Sequence, residues 1–238
     1  MAENRTVTTV LNQQSPVAGV FRTRTLEHVA GEWTTETLHR EYGCVFKVDL
    51  AAAYFSPRLA YERRRVATLV RRGEIVVNMF AGVGCFSIIM AKHSQVGKVY
   101  SIDLNPAAVQ LMQENIALNR VRRQVEAIGG DARAVIQERF RNAVDRVLMP
   151  LPEKAYKYLD IAVQALHHRR GVIHYHDFLH ANSGEDPIAK GVAKAEPKLN
   201  ELGVDHGVTA SRVVRMVGPR WYQIALDIQV QSPDEEKT

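Results

Sequence analysis

The sequence predicts an α/β fold in which a mostly parallel, doubly wound sheet follows a small α+β unit. Within residues 75–103, a β-branched apolar run, a glycine turn, an apolar run suited to a buried helix and a second strand follow one another. Strands and helices keep alternating beyond this unit, which is typical of a doubly wound sheet. Near the end of the chain, two alternating segments flank Gly218, Pro219 and Arg220, which predicts a closing hairpin.

The first 49 residues indicate a small β-rich unit. Residues 1–14 are polar, and we expect a loose tail there. Residues 17–27 alternate in part between apolar and basic side chains, which favours a strand with Arg22 and Arg24 on one face. On its own, such a pair indicates a solvated face. Residues 44–49 alternate again after a predicted turn, and we expect a small domain over residues 1–70 followed by a sheet domain over residues 71–238.

An arginine-rich helix is predicted next, because Ser56 can cap a helix whose first turn begins with Pro57. Its basic face is either a solvated helix surface or a surface that contacts phosphate. Arginine rather than lysine at nearly every position favours phosphate, since the planar guanidinium suits bidentate contacts. The residues predicted to contact RNA phosphate are Arg58, Arg63, Arg64 and Arg65.

The remaining elements follow in order. The predicted strands of the sheet are residues 75–77, 99–102, 124–128, 144–148, 171–175, 208–217 and 221–230. Pro150 and Pro152 come directly after the fourth of these strands and end it, because proline cannot continue a ladder. Helices are predicted over residues 153–168 and within the polar segment 183–203, and the acidic residues 232–238 are expected to be disordered.

The glycine turn and two later acids predict a cofactor that carries a nucleoside. Gly82 and Gly84 let the backbone approach a ligand, and Asp103, at the end of the next strand, can accept both hydroxyls of a ribose. Asp131 follows a third strand and suits the amino group of adenine. Ser87 stands where a dinucleotide fingerprint has Gly or Ala, so a nicotinamide cofactor is less favoured. This order resembles that of methyltransferases that use S-adenosyl-L-methionine (SAM). The predicted contacts are Phe80, Gly82, Gly84, Asp103, Leu104, Asn105, Asp131, Ala132 and Pro152.

Composition limits the classes of protein to consider. The chain has 238 residues, of which 46% are hydrophobic and 24% charged, as in an ordinary soluble globular protein. No apolar run approaches the roughly 20 residues that span a bilayer, and the polar start lacks a signal core. Cys44 and Cys85 lie far apart, so we expect reduced thiols in a cytoplasmic protein. Neither these cysteines nor His174, His176 and His180 have the spacing of metal ligands, so we expect no metal. The net charge of +5 permits a polyanionic partner.

Five sequence blocks resemble the archaeal and eukaryotic tRNA (guanine-37 N1)-methyltransferases. They are residues 22–27, 39–49, 54–59, 78–84 and 145–149, and they occur in order across nearly the whole chain. The resemblance implies a Rossmann-like class I methyltransferase sheet of seven strands, SAM as cofactor, and the anticodon stem-loop of tRNA as partner of a monomeric enzyme. A related enzyme of wybutosine synthesis, which transfers the aminocarboxypropyl arm of SAM, shares these blocks.

The resemblance also implies roles for particular residues. Glu62 follows Tyr54 at the spacing of the family's motif and is the candidate base for the N1 proton of guanine. Arg22 or Arg24 would stabilise the negative charge that develops toward O6. Tyr54 and Pro152 would line the pocket for the base.

Two departures from the family pattern leave alternatives open. Pro150-Leu151-Pro152 stands where members commonly have Asn-Leu-Pro. Many members also carry an extra N-terminal domain that contacts the outer corner of tRNA, whereas this sequence starts at the β-rich unit, so we expect altered substrate selection and weaker RNA binding. The alternatives are the aminocarboxypropyl transferase and an RNA-binding module without activity.

Overall fold

The computed structural model describes residues 6–232, so the expected acidic tail at 232–238, except for residue 232, and residues 1–5 of the expected polar tail lie outside the described residues. Within that range the strands are β1 (Thr9–Gln13), β2 (Leu26–Gly31), β3 (Glu36–Glu41), β4 (Cys44–Asp49), β5 (Ile75–Asn78), β6 (Lys98–Asp103), β7 (Val125–Gly129), β8 (Arg146–Met149), β9 (Gly171–His180), β10 (Asp205–Gly218) and β11 (Trp221–Gln231). The α-helices are α1 (Ala60–Leu69), α2 (Cys85–His93), α3 (Pro106–Leu118), α4 (Ala132–Arg139), α5 (Pro152–Ala155), α6 (Leu159–Ala165) and α7 (Pro187–Glu201).

The main sheet has seven strands within the described range, in the order β10-β11-β9-β8-β5-β6-β7. The five strands from β9 to β7 run parallel, and β10 and β11 form the antiparallel closing hairpin. This confirms the predicted fold class, with β9 five residues longer than the sequence indicated. The helix predicted over residues 153–168 is instead broken into α5, a 3₁₀ turn (Tyr156–Tyr158) and α6.

The N-terminal segment differs from prediction in two places. Part of the expected polar tail is β1, which pairs with β2 in a small antiparallel sheet. Most of the strand predicted over residues 17–27 is instead a loop closed by a bridge between Ala18 and Thr23, and only residues 26 and 27 belong to a strand, β2. The N–H of Arg22 donates to the carbonyl of Gly19 at 3.2 Å, and Arg22 takes a φ of 54°, so the chain turns back here rather than extending. The alternating segment 44–49 is β4, and after the predicted turn it pairs antiparallel with β3.

A shared apolar core joins the N-terminal unit to the sheet. Phe46 and Val48 of β4 and Val66 of α1 are fully buried in one cluster with Val76 of β5 and Ile88 of α2. One apolar core therefore contains residues from both sides of the predicted domain boundary at residue 70. None of the helices in residues 6–232 has the length and apolar character that crossing a bilayer requires.

Candidate active site

A cavity of about 190 Å³ lies at the carboxyl ends of β5, β6, β7 and β8. Parallel strands present these ends at one edge of the sheet, where ligands of such folds bind. The loops that follow each strand contribute to the wall, and the 20–22 segment and Tyr54 close it from the N-terminal side. The lining residues from the strand-end loops include Met79, Phe80, Gly82, Asp103, Leu104, Asn105, Gly130, Asp131, Ala132, Pro150 and Leu151.

The glycine turn meets the first predicted acid directly. The N–H of Gly82 donates to Oδ2 of Asp103 at 2.6 Å, and the N–H of Asn105 donates to Oδ1 at 2.9 Å. Burial raises the pKa of Asp103, and these backbone donors oppose that rise. Gly84 begins α2 with a φ of 89°, and a Cβ there would lie 2.8 Å from Cγ of Met112. Gly84 thus allows the turn and the close packing of α3, while Gly82 lines the cavity.

The second acid is held by a tyrosine that the sequence did not single out. Asp131 caps α4, since its Oδ1 accepts from the N–H groups of Arg133 and Ala134. The hydroxyl of Tyr158 donates to Oδ2 of Asp131 at 2.7 Å, and its ring packs edge-on against Phe80 with centroids 5.2 Å apart. Burial and the neighbouring carboxylate raise the pKa of Tyr158 to about 12, so it remains a proton donor. Phe80, Tyr158 and Asp131 thus form one continuous part of the cavity wall.

The other predicted cofactor contacts divide into two groups. Asn105 caps α3 and donates from Nδ2 to the carbonyl of Ala52 at 2.8 Å, while Leu104 remains half exposed at the cavity. The prediction that Pro152 contacts the cofactor needs correction. Pro152 is buried at the first turn of α5, and the cavity wall is formed here by Pro150 and Leu151.

Tyr54 lies where the cavity meets a second, basic cleft of about 560 Å³. The guanidinium carbon of Arg22 lies 4.2 Å from the centroid of the Tyr54 ring, and Nε of Arg22 lies 3.3 Å from Oε2 of Glu153. Arg22 lines both spaces, whereas Arg24 lines the cleft and donates to Oε1 of Gln13 at 2.9 Å. The basic residues of the cleft are Arg22, Arg24, Arg58 and Arg215.

Comparison with known proteins agrees with this geometry. The sequence profile of the TRM5/TYW2 methyltransferase domain matches residues 37–202. The chain belongs to the TRM5/TYW2 methyltransferase family.

Different relatives in this family are named for different activities. The chain is 40% identical over 227 residues to a tRNA (guanine(37)-N(1))-methyltransferase, Trm5b of Pyrococcus abyssi, covering 95% of this chain and 65% of the relative. The crystal structure of that Trm5b superimposes with a TM-score of 0.83, at 41% identity over 96% of this chain and 66% of the other. A tRNA 4-demethylwyosine(37)-methyltransferase, Taw21 of Saccharolobus solfataricus, is 38% identical over 94% of this chain and 80% of the relative. A complex of aTrm5 with tRNALeu gives a TM-score of 0.82 at 38% identity, over 97% of this chain and 63% of the other.

The candidate base of this TRM5/TYW2 domain lies in a buried ion network. Glu62 is 1% exposed and is not among the described residues that line the cavity. Its Oε1 lies 2.7 Å from Nη2 of Arg65 and 3.2 Å from Nε2 of His176. Its Oε2 accepts from Nε of Arg65 at 3.0 Å and from Nη1 of Arg212 at 3.4 Å. The carboxylate is therefore held away from the cavity in this structure.

The arginine surface predicted for the TRM5/TYW2 chain needs correction at Arg63 and Arg65. Arg63 is 3% exposed and pairs with both oxygens of Glu41, each at 2.6 Å. Arg65 bridges Glu62 and Asp227. Buried carboxylates neutralise both arginines, so neither presents its charge to phosphate. Arg64 is half buried against the ring of Tyr42, and Arg58 is exposed.

The same network continues across the sheet. Asp227 accepts from Nη2 of Arg65 at 3.0 Å, and its Oδ1 lies 2.6 Å from Nδ1 of His174. Nη1 of Arg146 lies 2.7 Å from Nε2 of His174. Burial lowers the pKa of His174 and lowers that of His176 to about 4, so both are neutral near pH 7. Among residues 6–232, no group of three or more histidine, cysteine or carboxylate side chains could hold a metal ion.

Proposed function

We propose that this chain is a SAM-dependent methyltransferase that transfers a methyl group to N1 of guanine at position 37 of tRNA. The observation that carries the proposal is the strand-end cavity with Gly82, Asp103 and Asp131, in a chain 40% identical to Trm5b of P. abyssi. The chain spans 65% of that relative, so the reaction and the substrate are proposed from the site rather than carried over from the name. The proposed enzyme acts as a monomer in the cytoplasm.

The residues present fit SAM. Asp103 is a partly buried carboxylate at the end of β6, placed to accept hydroxyls of a ribose. Phe80, Tyr158 and Asp131 all line the cavity, where their rings and carboxylate can contact the flat adenine ring and its amino group. When bound, SAM supplies a methyl group on a positively charged sulfur. The chain's own contribution is to hold the nucleoside and to place Tyr54 and Arg22 where the cavity and the cleft meet.

The basic cleft supports RNA as the second substrate. Arg24 and Arg58 lie on the far side of Tyr54 from the cofactor cavity, and Arg58 is exposed. Cations in this position can contact phosphates that flank a nucleotide inserted toward Tyr54. A nucleotide of the anticodon loop is already unpaired, which lowers the energy needed to bring its base into a pocket.

Proton transfer is assigned to Glu62 and charge stabilisation to Arg22. The N1 proton of guanine must leave as the methyl group arrives, and a carboxylate can accept it. Glu62 must turn from His176 and Arg65 toward the cavity to do so, and its contact with Arg212 is the longest of those it makes. Arg22 already lines the cavity and can face O6, which makes it the better candidate of the two arginines.

The test is an incubation of the protein with SAM and unmodified tRNA transcripts that carry guanine or another base at position 37. We expect the mass of one methyl group to be added only when guanine is present. Addition of a much larger amino acid fragment would identify an aminocarboxypropyl transferase instead. Binding of tRNA without any mass gain would indicate an RNA-binding module. Binding of a nicotinamide dinucleotide but not of SAM would contradict the cofactor assignment.

A further inference from the structure

An arginine of the closing hairpin is fixed in place by a buried amide. Arg215 of β10 pairs in register with Gln223 of β11, and Nε of Arg215 donates to Oε1 of Gln223 at 2.7 Å. Gln223 is 2% exposed. A buried glutamine needs partners for its polar atoms, and here its oxygen is used to set the direction of the guanidinium.

The other two nitrogens of the same guanidinium reach the loop before α1. Nη2 of Arg215 donates to the hydroxyl oxygen of Tyr54 at 3.3 Å, and Nη1 donates to Oγ of Ser56 at 3.2 Å. Arg22 covers the face of the same tyrosine ring. Tyr54 is thus held at its hydroxyl by one arginine and at its ring by another.

The three acceptors around Arg215 require several N–H donors in a fixed plane, which lysine lacks. Arginine presents five N–H donors in a rigid plane, whereas an ammonium group is a compact charge on a flexible stem. Gln223 in β11, Tyr54 and Ser56 are each reached by a different nitrogen of Arg215. A lysine at this position would keep the charge in the cleft but could not hold all three partners.

We propose that Arg215 is a positioning residue that sets the orientation of Tyr54 at the boundary between the cofactor cavity and the RNA cleft. The inference rests on the proposed function, because Tyr54 matters as a residue that lines both the cofactor cavity and the cleft from which guanine would enter. Arg215 lies outside the segment matched by the family profile, residues 37–202, so it is found only from the contacts of the hairpin.

Arg215→Lys is the informative change. We expect the single-turnover rate of methyl transfer to fall roughly 10- to 100-fold, since small displacements of the reacting groups have effects of that order. The affinity for tRNA and its dependence on salt should hold, because the charge remains. Arg220→Lys is the matched control: it makes the same change on the same hairpin, where Arg220 contacts Asn182 instead of Tyr54. Equal rates for the two variants would overturn the proposal, as would a loss for Arg215→Lys that lies entirely in tRNA affinity.

A double-mutant cycle with Tyr54→Phe asks whether Arg215 acts through the tyrosine. If it does, the rate of the double variant should match that of Arg215→Lys alone, because the hydroxyl has no partner to lose. If the fold loss in rate of the double variant equals the product of the fold losses of the two single variants, Arg215 acts by another route and the inference is contradicted. Cooperative thermal unfolding of each variant near the wild-type midpoint establishes that rates are compared between folded proteins.

A second readout separates this inference from the proposed reaction. Tyr54 lines the cofactor cavity, so its displacement should also change the affinity for S-adenosylhomocysteine, measured by calorimetry. We expect a loss of about fivefold in Arg215→Lys and in Tyr54→Phe, the worth of one hydrogen bond, with no further loss in the double variant. If the wild type binds this ligand but methylates no tRNA, the proposed reaction fails while the cycle still tests Arg215. If the two changes act independently on this affinity, the positioning role is refuted whatever the reaction.

Discussion

Replacing Glu62 by glutamine tests the base assignment most directly. The change keeps the length and volume of the side chain but removes its charge and its ability to accept a proton. In the structure, both oxygens of Glu62 are engaged by Arg65, His176 and Arg212, so the same change also weakens a buried network. The effect of Glu62→Gln on chemistry and its effect on folding must therefore be measured separately.

The two effects differ in expected size. A general base contributes about 10²–10⁴ in rate, which is roughly 3–5 kcal/mol of activation free energy. Removing one partner of a fully buried ion pair costs about 3–5 kcal/mol of stability when the other charge is left unpaired. Arg65 is not left unpaired, because Asp227 still accepts from two of its nitrogens. We therefore expect the free energy of unfolding of Glu62→Gln to fall by about 1–3 kcal/mol, a loss the domain should tolerate.

The assay is single-turnover methyl transfer with enzyme in excess over tRNA, measured across a series of pH values. The rate of Glu62→Gln should fall by two to four orders of magnitude at neutral pH. The deficit should shrink as the pH approaches the pKa of guanine N1, because the substrate then arrives already deprotonated. Affinities for SAM and tRNA should stay near wild type.

Asp227→Asn is the matched control for the network. Asp227 is 3% exposed and shares Arg65 with Glu62, yet it belongs to β11 and has no proposed part in proton transfer. If this variant loses as much rate as Glu62→Gln, the loss comes from the network and the base assignment is refuted. Near-normal turnover of Glu62→Gln at neutral pH would refute it as well. A parallel loss of tRNA binding would show that Glu62 positions the RNA.

Three further predictions follow from the same contacts. Asp103→Asn should weaken SAM binding in calorimetry by about 1.5–3 kcal/mol, because charge-assisted hydrogen bonds to the ribose are lost, and an unchanged affinity would exclude that role. Arg58→Ala should lower the slope of log tRNA affinity against log salt by about one unit. Arg63→Ala should leave the slope unchanged and reduce the free energy of unfolding by at most about 3–5 kcal/mol, since buried Glu41 then keeps only His39, among the described residues, as a side-chain partner. Burial opposes ionisation of Asp227, but hydrogen bonds from His174 and Arg65 hold its pKa well below the usual range. Ionised Asp227 therefore contributes its full stabilisation above about pH 4, and this contribution is lost as the pH falls through the lower folded-state pKa. The free energy of unfolding in urea should therefore fall less steeply at acid pH in Asp227→Asn than in the wild type. An unchanged dependence on pH would contradict this account.

The sheet and most of the cofactor cavity were predictable because their signals are local. An apolar β-branched run, a glycine turn and a helix cap each occupy a few consecutive residues, and their order fixes which loops meet at the sheet edge. Gly82, Asp103 and Asp131 were predicted in this way, and all three line the cavity at the sheet edge. Tyr158 carries no such local signal, since it reaches Asp131 from the segment after β8.

The arginines of α1 show why the rest could not be predicted. Arg63 pairs with Glu41, 22 residues earlier, and Arg65 with Asp227, 162 residues later. Helical periodicity tells which residues share a face but not whether another element covers that face with carboxylates. A similar limit explains residues 17–27, where partial alternation predicted a strand although the backbone of Arg22 adopts a left-handed turn.

Ion pairs on both sides of α1 restrict the movement of the N-terminal unit relative to the sheet. Arg63 ties the helix to Glu41 of the β3–β4 hairpin, and Arg65 ties it to Asp227 in the sheet. A hinge at residue 70 that swung the N-terminal unit away from the sheet would have to break the second pair, exposing charges whose separation costs about 3–5 kcal/mol. Amide hydrogen exchange in α1 and in β4 should therefore occur only through the opening that also releases β11, as one cooperative unit. We therefore expect the proposed nucleotide substrate to reach Tyr54 without separation of the N-terminal unit from the sheet.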